Sequence, residues 1–227
     1  MSLTAGDFQI LALTLKVAVV ATACILPPGI ALAWTMSRWR SSFNPIIETI
    51  VSLPLVLPPT AVGIILLGLL APHGPLGSVL GTLGIKLLFT WKAVAVASAI
   101  MSFPLLVRPA RAAFEEIDPR LEAVARTLGW SRLAVFARVD LPMAWRGLVT
   151  GTLLAFSRAL GEFGATIIIA GNIPGRTQTL ALAIFQRAET GNDADAFRLV
   201  EVTIVLAFAA VVITEAVSYR HAKRTAA

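Results

Sequence analysis

Residues 108–142 read RPARAAFEEIDPRLEAVARTLGWSRLAVFARVDLP and lie between two long apolar stretches of the chain. Asp118 followed by Pro119 predicts the start of a helix, because aspartate caps a helix and proline suits its first position. Gly129 predicts the end of that helix, since glycine tolerates the left-handed conformation of a C-cap. Ser131 predicts the cap of a second one. The segment is therefore predicted to form two short helices that meet at a glycine.

The two predicted helices each carry apolar residues along one face. These residues are Leu121, Ala125 and Leu128 on the first helix and Leu133, Phe136 and Ala137 on the second. The segment also mixes six arginines with five carboxylates, whereas a segment that only bound anionic lipid would be more uniformly basic. Mixed charge beside apolar side chains favours a protein partner. A pair of amphipathic helices lying on a membrane surface is the alternative.

The composition of the whole chain indicates a membrane protein. Of its 227 residues 57% are hydrophobic and 14% are charged, against about 25% charged in soluble domains. A spanning helix needs about 20 mostly apolar residues. Five stretches meet that requirement: residues 11–36, 46–70, 87–107, 145–170 and 199–219. We expect an all-α membrane protein in which residues 1–227 form one transmembrane domain and residues 108–144 form a cytoplasmic segment within it.

The basic residues predict the orientation, because they concentrate on the cytoplasmic side of a membrane. With the N-terminus outside and the C-terminus inside, twelve of the nineteen lysines and arginines face the cytoplasm and five face outward. The twelve are Arg38, Arg40, Arg108, Arg111, Arg120, Arg126, Arg132, Arg138, Arg146, Arg220, Lys223 and Arg224. Apolar runs separate these basic residues into groups, which a bilayer explains and a nucleic-acid partner does not.

Prolines are predicted to break two of the spans. Pro27 and Pro28 lie in the first span, and Pro54, Pro58 and Pro59 lie in the second. Each proline removes a backbone donor, and the freed carbonyl groups need protein or water as partners. The bends are therefore expected either to line a pathway or to be packing kinks.

The fourth span carries two charged residues, Arg158 and Glu162, four positions apart and so on one helix face. A charge inside the membrane normally faces protein or water. The two side chains are expected to form a structural ion pair, with guidance of an anion by Arg158 as the alternative. Gly161, Gly164 and Ala165 offer a small-residue face for close helix contact, and residues 171–179 predict a polar outer turn.

The segment after the third span resembles the cytoplasmic EAA loop of binding-protein-dependent ABC importer permeases, of the type I fold. The matching positions are Glu122, Ala123, Ala125, Gly129, Val139, Leu141 and Pro142. The chain departs from the usual pattern, because Glu122 lies one residue further from Gly129 than that pattern asks. The resemblance implies that this loop inserts into a cleft on an ATP-hydrolysing subunit and couples ATP-driven closure to movement of the permease helices.

The runs LGEFGAT at 160–166 and NIPGRTQT at 172–179 resemble the permeases of molybdate importers. Sulfate and thiosulfate permeases are similar over GEFGA and match less well at the following turn. The resemblance implies a homodimer in a bacterial inner membrane, two copies of a cytoplasmic ABC ATPase that binds the ATP, and a periplasmic molybdate-binding protein. It implies no cofactor on this chain, and tungstate or sulfate as alternative cargo.

An integral membrane enzyme is the alternative from another class of protein. Such an enzyme would need a nucleophile, metal ligands or paired acids near the bilayer. The two histidines, His73 and His221, are predicted on opposite sides of the membrane, and the sequence contains no HExxH or GxSxG motif. The sequence therefore favours a transport function.

Overall fold

The computed structural model describes the backbone of residues 4–39 and 42–225 and the side chains as far as residue 212. Within these residues the secondary structure is helical, and the expected all-α class is confirmed. In chain order the helices are α1 Ala5–Arg38, α2 Asn44–Val56, α3 Pro59–Leu70, α4 Pro75–Thr82, α5 Trp91–Glu115, α6 Pro119–Thr127, α7 Arg132–Val135, a π-helical turn Phe136–Asp140, α8 Leu141–Leu160, α9 Gly164–Ala170, α10 Leu180–Glu189 and α11 Asp193–Thr225.

Helix α1 runs unbroken through Pro27 and Pro28, so the break predicted in the first span is wrong. Its start is fixed by a capping box, in which Asp7 N–H donates to Thr4 Oγ1 and Thr4 N–H donates to the Asp7 carboxylate. The helix packs against both α5 and α8. Each proline removes one donor and crowds the carbonyl four residues earlier, and the packing of α1 against α5 and α8 offsets that cost.

The predicted break in the second span is confirmed. Helix α2 ends at Val56, α3 begins at Pro59, and their axes differ in direction by 111°. Pro58 and Pro59 cannot donate to the preceding turn, which ends α2 before them. Pro54, in contrast, is accommodated inside α2.

Helix α5 continues to Glu115, so the inner segment predicted to begin at residue 108 begins with two turns of this helix. Its charged residues find partners along the helix surface. Arg108 donates to Ser52 Oγ at 2.9 Å, and Arg111 pairs with Glu48 and Glu115, each at 2.7 Å. The charges end the apolar run without ending the helix.

The fourth span also differs from the predicted stretch 145–170. Helix α7, the π-helical turn and α8 form one continuous helical segment from Arg132 to Leu160, and the second short helix predicted from the sequence is therefore the start of the span. This segment ends before α9, and the two axes differ in direction by 58°. The wide π turn ends at Asp140, two residues before Pro142, whose ring would crowd the carbonyl four residues earlier in a regular helix.

Helices α1 and α5 are long and apolar enough to cross a membrane, and the pairs α2–α3 and α8–α9 would add two spans if each bent pair is one. This count covers only the described residues. The predicted fifth span, 199–219, falls within α11, but its side chains beyond residue 212 lie outside the described part of the chain. Outside it too lie Arg40 and the side chains of Arg220, Lys223 and Arg224.

The bundle is built around α5, which packs most extensively against α1 and α8. Helices α5 and α8 approach closely at two glycines of α8. A methyl group on Gly151 would lie 2.8 Å from the Leu106 carbonyl oxygen, and one on Gly147 would lie 2.8 Å from that of Pro109. Helices α6 and α7 project from one end of this bundle, which positions the site described next.

Candidate functional site

Helix α6 begins and ends as the sequence predicts. Asp118 caps it by accepting from Arg120 N–H at 2.9 Å, and Pro119 occupies its first position. At the other end Gly129 has a φ of +84°. Trp130 N–H donates to the Ala125 carbonyl and Gly129 N–H to that of Arg126, which is the hydrogen-bond pattern of a Schellman C-cap.

The turn after Gly129 leads directly into the next helix. Ser131 Oγ accepts from Ala134 N–H at 3.2 Å and so caps α7, as predicted. We refer to residues 118–140 as the α6–α7 element. It is a folded helix–turn–helix whose second helix is continuous with α8, so any force on it acts directly on the fourth span.

One face of the α6–α7 element is apolar and open. Ala125 is buried, but Leu128 and Leu133 are 70% and 75% exposed. Leu121 and Val124 are exposed beside them. Of the predicted apolar face, therefore, Ala125 packs inward while the leucines remain without cover in the single chain. An exposed apolar patch of this kind marks an interaction surface.

Glu122, predicted as a coupling residue, faces inward rather than toward the open face. Its carboxylate lies 2.5 Å from Arg38 Nε, at the end of α1, and 3.5 Å from Arg126 Nη2. Arg38 also pairs with Asp140, whose carboxylate accepts from Trp34 Nε1–H at 2.7 Å. We call Trp34, Arg38, Glu122 and Asp140 the inner clamp.

The sequence reasoning missed three members of this clamp. Asp140 is fully buried, and it is the charged residue of the VDLP motif that also contains the predicted coupling residues Val139, Leu141 and Pro142. The sequence predicts Arg38 only as a positive charge on the inner side. A signal was available, since a carboxylate buried at the start of a span needs a cation, and Arg38 was predicted on the same side.

The other predicted coupling residues surround the clamp. Ala123, Gly129 and Pro142 are exposed, and Val139 is half-buried. Leu141 packs against the inner core cluster around Phe114. The structure thus places the predicted residues on the α6–α7 element and on the first two positions of α8, some on the surface and some beneath it.

The two helix breaks meet inside the bundle. The start of α9 packs against the start of α3, where a methyl group on Gly164 would lie 2.6 Å from Pro59 Cβ. A methyl group on Gly63 of α3 would lie 3.0 Å from the Ala165 Cα atom. The predicted small-residue face is thus correct for Gly164 and Ala165, while Gly161 has no atom of another element within 4 Å of its Cβ position.

Arg158 and Glu162 form the predicted pair, with Arg158 Nη1 2.7 Å from Glu162 Oε2. Glu162 is only 2% exposed, and its other oxygen accepts from Ala165 N–H at 2.9 Å. The carboxylate therefore ties the end of α8 to the first turn of α9. Arg158 is partly exposed, so the geometry supports a structural pair whose cation still reaches the surface.

The turn at 171–179 is polar, but only its tip is on the surface. Residues 174–176 are exposed, whereas Thr177, Gln178 and Thr179 are buried. Thr177 Oγ1 accepts from Ile173 N–H at 2.9 Å, and Gln178 donates to Gln186 of α10. The first bond lies within the turn, and the second holds α10 against it. In the described part of the chain no cluster of histidine, cysteine or carboxylate side chains is arranged to hold a metal ion.

Comparison with known proteins identifies the family. Residues 25–224 match the family model described as binding-protein-dependent transport system inner membrane component. The chain is 42% identical over 217 residues to the molybdenum transport system permease protein ModB of Escherichia coli K12, covering 95% of each chain. It is 38% identical to ModB of Haemophilus influenzae over 93% of each chain. The sulfate transport system permease protein CysT of Salmonella typhimurium is 39% identical over 161 residues, which cover 71% of this chain and 58% of CysT.

Solved structures show the same fold. A bacterial ABC transporter that imports the acidic polysaccharide alginate superposes with a TM-score of 0.75 at 16% identity, covering 96% of this chain and 80% of the other. The MetNI methionine ABC transporter superposes with a TM-score of 0.63 at 20% identity, covering 93% and 94%. The chain therefore belongs to the family of inner membrane components of binding-protein-dependent transport systems, and it is a transport protein rather than a membrane enzyme.

Proposed function

We propose that this chain is the permease subunit of an ATP-driven importer that carries molybdate across the bacterial inner membrane. The observation that carries the proposal is the extent of the similarity. It spans nearly the whole of both chains for the molybdenum permeases but little more than half of the sulfate permease. Sulfate, thiosulfate and tungstate are the competing cargoes, and the partial similarity to the sulfate permease makes sulfate the strongest of them.

The importer is expected to contain two copies of this chain, two copies of a cytoplasmic ABC ATPase and a periplasmic molybdate-binding protein. One chain offers few spans for an enclosed aqueous path, and a symmetric dimer with the path on its two-fold axis solves that problem. Residues 1–227 form one transmembrane unit in this proposal, with the N-terminus outside and the C-terminus inside. The inner segment 108–144 then faces the ATPase.

The exposed apolar face of the α6–α7 element is the proposed ATPase docking surface. Its leucines are open to solvent in the single chain, while the buried charges of the inner clamp hold the element in place from behind. Because α7 continues into α8, a displacement imposed on this element would turn the fourth span as a rigid body. An element that only lay on the membrane surface would not require the buried ion pairs of the inner clamp.

Reconstitution tests both parts of the proposal. The permease, the ATPase and the binding protein are placed in proteoliposomes, and uptake of labelled molybdate is followed with and without ATP. We expect ATP-dependent uptake that resists a large excess of sulfate. Equal competition by sulfate would transfer the proposal to the sulfate class, and absence of ATP-dependent uptake of either anion would refute it.

Docking is tested separately by co-purification of the ATPase with the permease. We expect the double variant Leu128→Asp/Leu133→Asp to lose the ATPase, because a charge in a desolvated apolar contact is costly. Glu116→Gln, an exposed position just before α6 and outside the apolar face, is the matched control and should retain it. Retention of the ATPase by both variants would remove the α6–α7 face from the interface.

A further inference from the structure

The first helix connects the two ends of the molecule in a single piece. Helix α1 has 34 residues, and at 1.5 Å per residue its axis is about 50 Å long. One end lies beside the α6–α7 element and the other beside α10 and α11. Buried carboxylates pair with arginines at both ends.

The inner end is held by the inner clamp. Arg38, in the last turn of α1, bridges Glu122 of α6 and Asp140 of the π-helical turn. The Trp34 ring makes an edge contact with Phe136, with ring centroids 5.0 Å apart. Asp140 has no exposed surface and Glu122 has little. Pulling the α6–α7 element away from α1 would leave Asp140 without its cation and Glu122 with only Arg126, at 3.5 Å, which is unfavourable for buried carboxylates.

The outer end is held by a second cluster, which we call the outer clamp. Asp7, in the first turn of α1, is 2% exposed and pairs with Arg187 of α10 at 2.6 Å and Arg198 of α11 at 3.3 Å. Two turns further on, Thr14 Oγ1 accepts from Leu180 N–H at 2.9 Å, at the start of α10. Helices α10 and α11 are thereby tied to α1 by charge and by hydrogen bond.

Between the clamps α1 is braced against the centre of the bundle. Gly29, directly after the two prolines, packs so closely on α5 that a methyl group there would lie 2.6 Å from Leu106 Cδ2. The helix is continuous across this contact. We expect a continuous helix that is held at both ends to move as one body. The packed contacts between helices switch between discrete arrangements and do not deform gradually.

We infer that α1 is a connecting rod, and that Arg38 and Asp7 are positioning residues that fix its two ends. The inference rests on the proposed function, in which the ATPase grips the α6–α7 element. Movement imposed on that element passes through the inner clamp to α1 and then through the outer clamp to α10 and α11. The outer helices thus receive the ATPase signal by a route other than the direct continuation of α7 into α8.

The decisive variants break one clamp at a time in the complete importer. Arg38→Gln releases the inner end, and Asp7→Asn releases the outer end. Arg111→Gln is the matched control, because it removes an arginine with two carboxylate partners, Glu48 and Glu115, and touches neither α1 nor the α6–α7 element. The readout is molybdate transported per ATP hydrolysed, together with stimulation of ATP hydrolysis by the loaded binding protein.

We expect each clamp variant to bind the ATPase normally but to lose about tenfold in transport per ATP, which is in the range of allosteric coupling. Arg38→Lys, which keeps the positive charge, should recover part of the lost transport per ATP. The Arg111 control should match the wild type. Wild-type importer without any uptake would refute the proposed function, whereas clamp variants with wild-type transport per ATP would overturn the connecting rod alone.

A distance measurement covers the case in which the variants do not fold. Spin labels are placed at Trp39 and Arg120, both exposed and outside the apolar docking face, in a Cys24→Ser background. The inference expects the distance between these labels to stay within about 2 Å between the nucleotide-free and ATP-trapped states, since the two sites move together. A change of about 5 Å in this distance, one helical turn, would show that the α6–α7 element moves separately from α1 and would refute the connecting-rod inference.

Discussion

Gly63 of α3 lies against Ala165 of α9 so closely that a methyl group on Gly63 would be 3.0 Å from the Ala165 Cα atom and 2.9 Å from Ile168 Cβ. This contact joins the helices that follow the two breaks in the bundle. Backbone atoms form one side of it, so a side chain cannot be accommodated by a rotamer change. The two helices can only separate.

We predict that Gly63→Val destabilises the permease by about 1–3 kcal/mol, the usual cost of overpacking. The melting temperature of the purified protein in detergent measures the effect. Gly68→Val is the control, because Gly68 lies on the same helix and has no atom within 4 Å of its Cβ position. Equal melting temperatures for the two variants would contradict close packing of α3 on α9.

A second prediction concerns Gly129, whose φ of +84° costs an L-residue about 1–2 kcal/mol. Gly129→Val should abolish molybdate uptake while the protein stays in the membrane, because the angle between α6 and α7 changes. Gly129→Asn, which adopts this conformation more readily, should retain most of the uptake. Uptake assays and membrane immunoblots give the two readouts. Loss of the protein itself would instead assign the glycine to folding.

Local backbone chemistry made the α6–α7 element predictable from the sequence. Asp118, Gly129 and Ser131 each act on hydrogen bonds within a few residues, and all three cap as predicted. The helix lengths were not predictable in the same way. Hydropathy indicates where lipid contact ends. Helix α5 continues past that point to Glu115, where ion pairs such as Arg111–Glu115 form along its surface.

Contacts between distant residues account for the rest of what the sequence left open. Arg38 and Asp140 are 102 positions apart, and no periodicity links them. The close approach of α5 and α8 has a visible signal in GLVTG at 147–151, a small-xxx-small pattern that favours helix contact. The pattern indicates that α8 makes a close helix contact, but only the structure shows that its partner is α5.

A third prediction separates the two roles considered for Arg158. Arg158→Leu leaves Glu162 buried without a cation, which is expected to cost about 3–5 kcal/mol. The double variant Arg158→Leu/Glu162→Gln removes the charge and keeps an acceptor for Ala165 N–H, so it should be more stable than the single variant. Melting temperature and molybdate uptake are measured together. A double variant that folds well but transports nothing would favour a role for Arg158 in guiding the anion.

A fourth prediction concerns the orientation in the membrane, on which the docking proposal depends. Single cysteines are introduced at Leu128 and Arg176, both exposed, in a Cys24→Ser background. In intact spheroplasts an impermeant thiol reagent should label the cysteine at 176 and leave the one at 128 unlabelled until the membrane is opened. The reason is the excess of arginines on the side that carries the α6–α7 element. Labelling of position 128 in intact spheroplasts would put that element in the periplasm, where no ATP-hydrolysing subunit could reach it, and both the docking surface and the connecting rod would be excluded.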